Sequence, residues 1–79
     1  MGGKINSIEE LKTLASFDGG FDCYIRLSSG LLRSSKHISF DGEFHIHHEI
    51  DDSFEIMSED DIIDSHIGLA ISRGALMSY

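Results

Sequence analysis

Between Phe21 and Ile50 the chain repeatedly sets an apolar residue at every second position, and turn-forming pairs interrupt the pattern at short intervals. That period belongs to a β-strand, whose successive side chains leave opposite faces of a sheet. The clearest run is Glu43 to Asp52, EFHIHHEIDD, which reads as a central strand. Phe44, Ile46 and Ile50 share one face; Glu43, His45, His47 and Glu49 share the other. Phe21, Cys23, Ile25 and Leu27 alternate with Asp22, Tyr24, Arg26 and Ser28 in the same way. Such strands, joined by two to five residues, close antiparallel hairpins.

A slip of one residue would exchange the two faces, so burial should fix the register. A two-residue turn at Ser29-Gly30 sets Leu27 opposite Leu32 and Phe21 opposite Ile38, with Arg26 across from Arg33; the second strand then runs from Leu31 to Phe40. A three-residue loop at 41–43 pairs Phe40 with Phe44 and Ile38 with Ile46. The same device at 51–53 pairs Ile50 with Phe54 and His48 with Ile56, giving a fourth strand over 54–57 with Glu49 facing Glu55.

Helices are expected at both ends. Ser7-Ile8-Glu9-Glu10 has capping-box form, and Ile8, Leu11, Leu14 and Ala15 follow at helical spacing, so a helix is placed over 8–16 and stopped by Asp18-Gly19-Gly20. Ser58 is a good N-cap, with Glu59, Asp60 and Asp61 suited to the positive end of the helix dipole. Ile62, Ile63, Ile67, Ala70 and Ile71 then recur at three- and four-residue spacing, with Asp64-Ser65 offering a break. Gly74 ends this helix, and 75–79 is read as a tail. The expected fold is α+β: a four-stranded antiparallel meander flanked by an N-terminal and a C-terminal helix, α-β-β-β-β-α, in one small domain over 1–79. The expected core is Phe21, Ile25, Leu27, Ile38, Phe40, Phe44, Ile46 and Ile63.

The charge is segregated. Residues 1–40 carry five bases and four acids, whereas 41–79 carry ten acids and only Arg73, for a net charge of −8 over 79 residues. Such a field repels nucleic-acid phosphates and anionic lipid and attracts basic protein. Direct nucleic-acid binding and membrane association are therefore not expected. With Cys23 alone no intramolecular disulfide can form, no apolar run approaches the ~20 residues of a spanning helix, and Met1–Ser7 lacks the form of a leader. A cytoplasmic protein is the expectation.

No catalytic motif is present, and no cofactor is implied. Candidate chemistry begins with histidine. His45 and His47 leave one face of a strand, and the register places His37 opposite His47, so three imidazoles converge near Glu43 and Glu49. Three imidazoles are a zinc or transition-metal ligand set, although a hydrophilic face that uses histidine is the simpler reading. His48 and His66 point toward the core, where hydrogen-bonded side chains are expected. Cys23 reads as a buried small apolar residue rather than a nucleophile. The basic stretch Leu31 to Lys36 reads as a sheet edge guarded by charge. The acids at 59–64 lack the spacing of a calcium loop and read as a solvated helix start or a protein-binding surface.

Leu32 to Lys36 (LRSSK), Ile50 to Ser53 (IDDS) and Ile67 to Leu76 (IGLAISRGAL) together resemble a pattern in small bacterial and phage proteins. The resemblance implies a bacterial or mobile-element origin and carries over no functional residue. By analogy, small acidic phage proteins include anti-CRISPR and anti-restriction inhibitors that mimic DNA, with carboxylates in place of phosphates.

The function expected is that of a non-enzymatic acidic binding protein, an inhibitor of this type. It would dock a basic, nucleic-acid-binding protein through Glu43, Glu49, Asp51, Asp52, Glu55, Glu59, Asp60, Asp61 and Asp64. The alternatives are a metal-binding protein using His37, His45 and His47, or a homo-oligomeric structural module joined at a sheet edge.

Overall fold

The alternating segments pair into one antiparallel sheet, but of six strands rather than four. The computed structural model describes residues 3–27 and 33–79. In chain order the elements are β1 (Gly3–Lys4), α1 (Ile8–Ala15), β2 (Phe21–Arg26), β3 (Arg33–Phe40), β4 (Phe44–His48), β5 (Ser53–Met57), α2 (Glu59–Ile63), α3 (His66–Ser72) and β6 (Leu76–Ser78). The strand order is β1-β6-β2-β3-β4-β5. The four-stranded meander between two terminal helices is thus corrected in two ways. The segment read as a tail is β6, which inserts between β1 and β2. The C-terminal helix is two helices, broken where Asp64 closes α2 and Ser65 caps α3.

Local chemistry explains these elements. Ser7 accepts from the Glu10 backbone N–H and starts α1. Ser58 and Asp61 form a reciprocal capping box on α2, and Ser65 accepts from the Ile67 and Gly68 N–H groups to start α3. β6 is bound on both sides, with Leu76 O accepting from Ile5 N–H and Ala75 O from Arg26 N–H. Its first residue, Leu76, is fully buried, which three tail residues read in isolation do not signal.

The core lies between one face of the sheet and the helices. Leu11 and Ala15 from α1, Ile62 from α2, and Ile67 and Ala70 from α3 close over Cys23, Ile38, Phe44 and Ile46. Of the expected core, Ile38, Phe44 and Ile46 are buried, while Phe21, Ile25 and Phe40 pack partly buried against them. Leu27 and Ile63 are exposed; Ile62, one residue earlier, is the one that α2 buries.

Registers hold in two hairpins and fail in the third. Phe21 faces Ile38 and Arg26 faces Arg33, while Phe40 faces Phe44 and Ile38 faces Ile46. Ser29-Gly30 and the expected partner Leu32 lie outside the described residues. Between β4 and β5, however, Phe44 faces Met57 and His48 faces Ser53. The connection is four residues, 49–52, closed by Asp51 accepting from the Ser53 backbone and hydroxyl, with Asp52 at φ 57°. The expected partners Ile50–Phe54 and His48–Ile56 do not form, and Glu49 sits in the turn rather than opposite Glu55. The shift turns Glu55 inward and sends Phe54 and Ile56 to the outer face.

Candidate functional site

Two places carry polar chemistry, one on each face of the sheet. The first lies under the helices. Lys36 is on the inward parity of β3, shared with Ser34, Ile38 and Phe40, and is only 2% exposed. The reading of this stretch as a sheet edge is therefore corrected: β3 is a central strand, and its lysine is inside. A buried ammonium must be hydrogen-bonded. Lys36 Nζ donates to Ser34 Oγ at 3.1 Å and to His48 Nδ1 at 3.2 Å. An ammonium can only donate and a carboxylate only accepts, which assigns the His48 tautomer. Nδ1 accepts, and Nε2–H donates to Glu55 Oε1 at 2.7 Å. Lysine and glutamate are thus joined through a neutral imidazole. The His66 ring lies 5.8 Å from that of His48.

Burial holds the Lys36 amine below its ordinary pKa, although the neighbouring Cys23, Glu55 and Asp51 act in the opposite direction. Burial pushes the Cys23 thiol up to about 12, so the thiol is a core group and not a nucleophile. His66 is lowered by desolvation and then by the Lys36 charge. Beside this relay, α3 and the ends of β2 and β3 enclose a groove of about 590 Å³. Ile25, Leu69, Ala70 and Ala75 supply apolar wall, and Ser34 and His66 supply polar groups.

The second place is the outer face. One cross-strand row runs Asp22, His37, His47, Phe54 over β2 to β5. His37 faces two acceptors, donating from Nδ1 to Asp22 Oδ1 at 2.8 Å and from Nε2 to Gly19 O at 2.9 Å. A ring that donates from both nitrogens is an imidazolium. The Asp22 carboxylate, and then the Gly19 carbonyl, accordingly raise its pKa. His47 Nε2 donates to Asp52 Oδ1 at 2.6 Å, and its ring stacks on Phe54 with centroids 4.6 Å apart. His37 and His47 are cross-strand neighbours as expected, and His45 shares their face opposite Ser39. Among the described residues no group of three or more His, Cys, Asp or Glu is arranged to hold a metal ion.

Among the described residues β5 pairs only with β4 and forms the long edge of the sheet. Phe54 is 76% exposed, Ile56 61%, and Ile50 in the adjoining turn 81%. The acids proposed from sequence divide around this edge. Glu49, Asp51 and Asp52 occupy the β4–β5 turn. Glu43 precedes β4 at its other end, and Glu59, Asp60 and Asp61 begin α2 just after β5, with Asp64 closing that helix. The length of β5 separates the two groups by roughly 13 Å at 3.3 Å per residue. Glu55, on the inward parity of β5, is engaged by His48 and still 44% exposed at its side chain. Glu59 pairs with Lys12 at 3.3 Å, and Asp61 is held in its capping box. Sequence reasoning missed Phe54 and Ile56 because their strand was assigned the opposite parity, and Lys36 because its basic stretch was read as a sheet edge.

No family model, curated protein or solved structure matches the chain. The likeness to small bacterial and phage proteins thus acquires no support. No helix of the described residues is long and apolar enough to cross a membrane.

Proposed function

We propose that this is a non-enzymatic binding protein that docks a basic protein partner along the β5 edge. The observation that supports this reading is the exposure of Phe54 and Ile56 on an edge strand with acids at both ends. A free edge offers backbone donors and acceptors to an added strand, and alternate side chains set specificity. Phe54 and Ile56 supply apolar contact, while Asp51, Asp52 and Asp60 select a strand flanked by Lys or Arg. A nucleic-acid-binding protein is a natural candidate, since its phosphate-binding surface is built of such residues.

A second copy fits the same edge less well. Antiparallel self-pairing centred on Glu55 would set Glu55 against Glu55 and bring the acidic turn of each copy beside the acidic α2 start of the other. Like charges opposed in this way are destabilising. The test is capture of the partner from the native host, followed by affinity and hydrogen-exchange measurements. Binding that weakens steeply with salt, is lost in Phe54→Ser with Ile56→Ser, and protects the amides of 53–57 supports the proposal. Protection confined to other strands, or equal affinity of the double variant, would sink it.

A further inference from the structure

The groove between α3 and the sheet differs from the rest of the surface in charge. The chain holds six Lys and Arg against fourteen acids. Yet the groove is bordered by Arg26 and Arg73, and no Asp or Glu lines it among the described residues. Behind its wall sits Lys36, whose ammonium donates to Ser34 Oγ. That bond occupies a lone pair of the hydroxyl, whose O–H retains its capacity to donate, and Ser34 lines the groove. Glu55, the anion associated with Lys36, lies one imidazole further away, beyond His48. The remaining walls are the aliphatic side chains of Ile25, Leu27 and Leu69 with Ala70 and Ala75. A volume of about 590 Å³ is within the range of small-molecule sites.

We propose that this groove is a binding site for a small amphipathic carboxylate, its chain on the aliphatic walls and its carboxylate accepting from Ser34. Three features specify that ligand. The apolar wall calls for a hydrocarbon body. The polarised hydroxyl calls for an acceptor. Lys36 and Arg73 call for negative charge, and in a chain this acidic they make the groove an isolated anion-attracting spot. The site is on the face opposite to β5's exposed apolar side chains and does not depend on the docking proposal.

The experiment is an amide NMR titration of the full chain with octanoate, alongside octanol and octyltrimethylammonium. Octanoate should give saturable shifts at Ser34, His66, Leu69 and Ala70. Octanol should bind about tenfold or more weakly, the worth of one hydrogen bond to a charged group, and the cation should not bind. Ser34→Ala should reduce octanoate affinity about tenfold and octanol affinity by clearly less, a neutral acceptor losing a weaker bond. Should that variant unfold, Arg73→Gln, an exposed change, tests the same point by weakening octanoate but not octanol. The inference is overturned by octanol binding as tightly as octanoate, by shifts confined to the outer face, or by no saturation at roughly 10 mM, well above a ~1 mM Kd.

Discussion

Cys23 and His37 sit on neighbouring strands but on opposite faces of the sheet. Cys23 is fully buried with its pKa pushed up to about 12, so both access and ionisation oppose its reaction. A thiol reagent at pH near 8 should label it only through global unfolding, with a rate that rises steeply in denaturant; fast labelling of the native protein would contradict its position in the core. His37 is exposed enough to titrate and is held as an imidazolium by Asp22 and Gly19. Its folded pKa lies above the ordinary 6.5, so the stability it contributes is complete below 6.5 and declines as pH rises through the raised value. The His37 ring resonance should report a midpoint above 6.5, and Asp22→Asn should move it downward. A midpoint unchanged by Asp22→Asn would remove the carboxylate as the cause. These positions were legible because strand parity placed Cys23 inward and His37 outward. Lys36 was not, because a charged residue on an inward parity is usually taken to mark an exposed strand.

That lysine also accounts for the hairpin that was misread. Apolar alternation alone allows Ser53 to Met57 to present either Phe54 and Ile56 or Met57 to the core. The observed choice brings Glu55 inward, where it meets His48 beneath Lys36. A buried cation with no associated anion costs several kcal/mol, comparable to the gain from burying the two side chains Phe54 and Ile56. The relay and the Asx-type turn at Asp51 therefore set the register against hydrophobicity. It follows that Phe54→Ser and Ile56→Ser together should change stability by no more than about 0.5 kcal/mol each, as surface substitutions do. A large fall in melting temperature would place them in the core after all. Helix α3 gives the opposite surprise. Propensity favours alanine over Gly68 by ~1 kcal/mol. But a Cβ there collides with the carbonyl oxygens of Ile62 and Ile63 at the end of α2. Gly68→Ala should destabilise the fold by about 1–3 kcal/mol, read by denaturant unfolding. Stabilisation would show that α2 and α3 are free to separate.

Across the whole molecule the dominant stress is charge. The longest dimension is 34 Å, and the screening length at 0.01 M salt is about 30 Å. At low ionic strength nearly all the acids therefore repel one another. Melting temperature should rise between 0.01 and 0.15 M NaCl, where the screening length falls to about 8 Å. An Ile46→Ala change should cost about 2–5 kcal/mol at any salt, because it opens a cavity in the core. Charge segregation, and the two hairpins whose apolar partners agree, could be read from the sequence. The β1 and β6 strands could not, since neither is long enough to show a period.

Their pairing has a consequence for synthesis and for handling. Gly3 lies beside Ser78, and β6 fills the slot between β1 and β2. A ribosome releases residues in order, so Ile5 has no strand partner until Leu76 has left the tunnel. The pairing of β1 with β6 is the most sequence-distant strand contact of the sheet. The same geometry brings both described ends of the chain to one margin of the sheet, with β5 at the other. A label or surface tether attached near either end leaves the β5 edge facing solution. Joining the ends by a short linker and opening the chain at 41–43 would give a permuted protein in which β1, β6 and β2 are neighbours in sequence order.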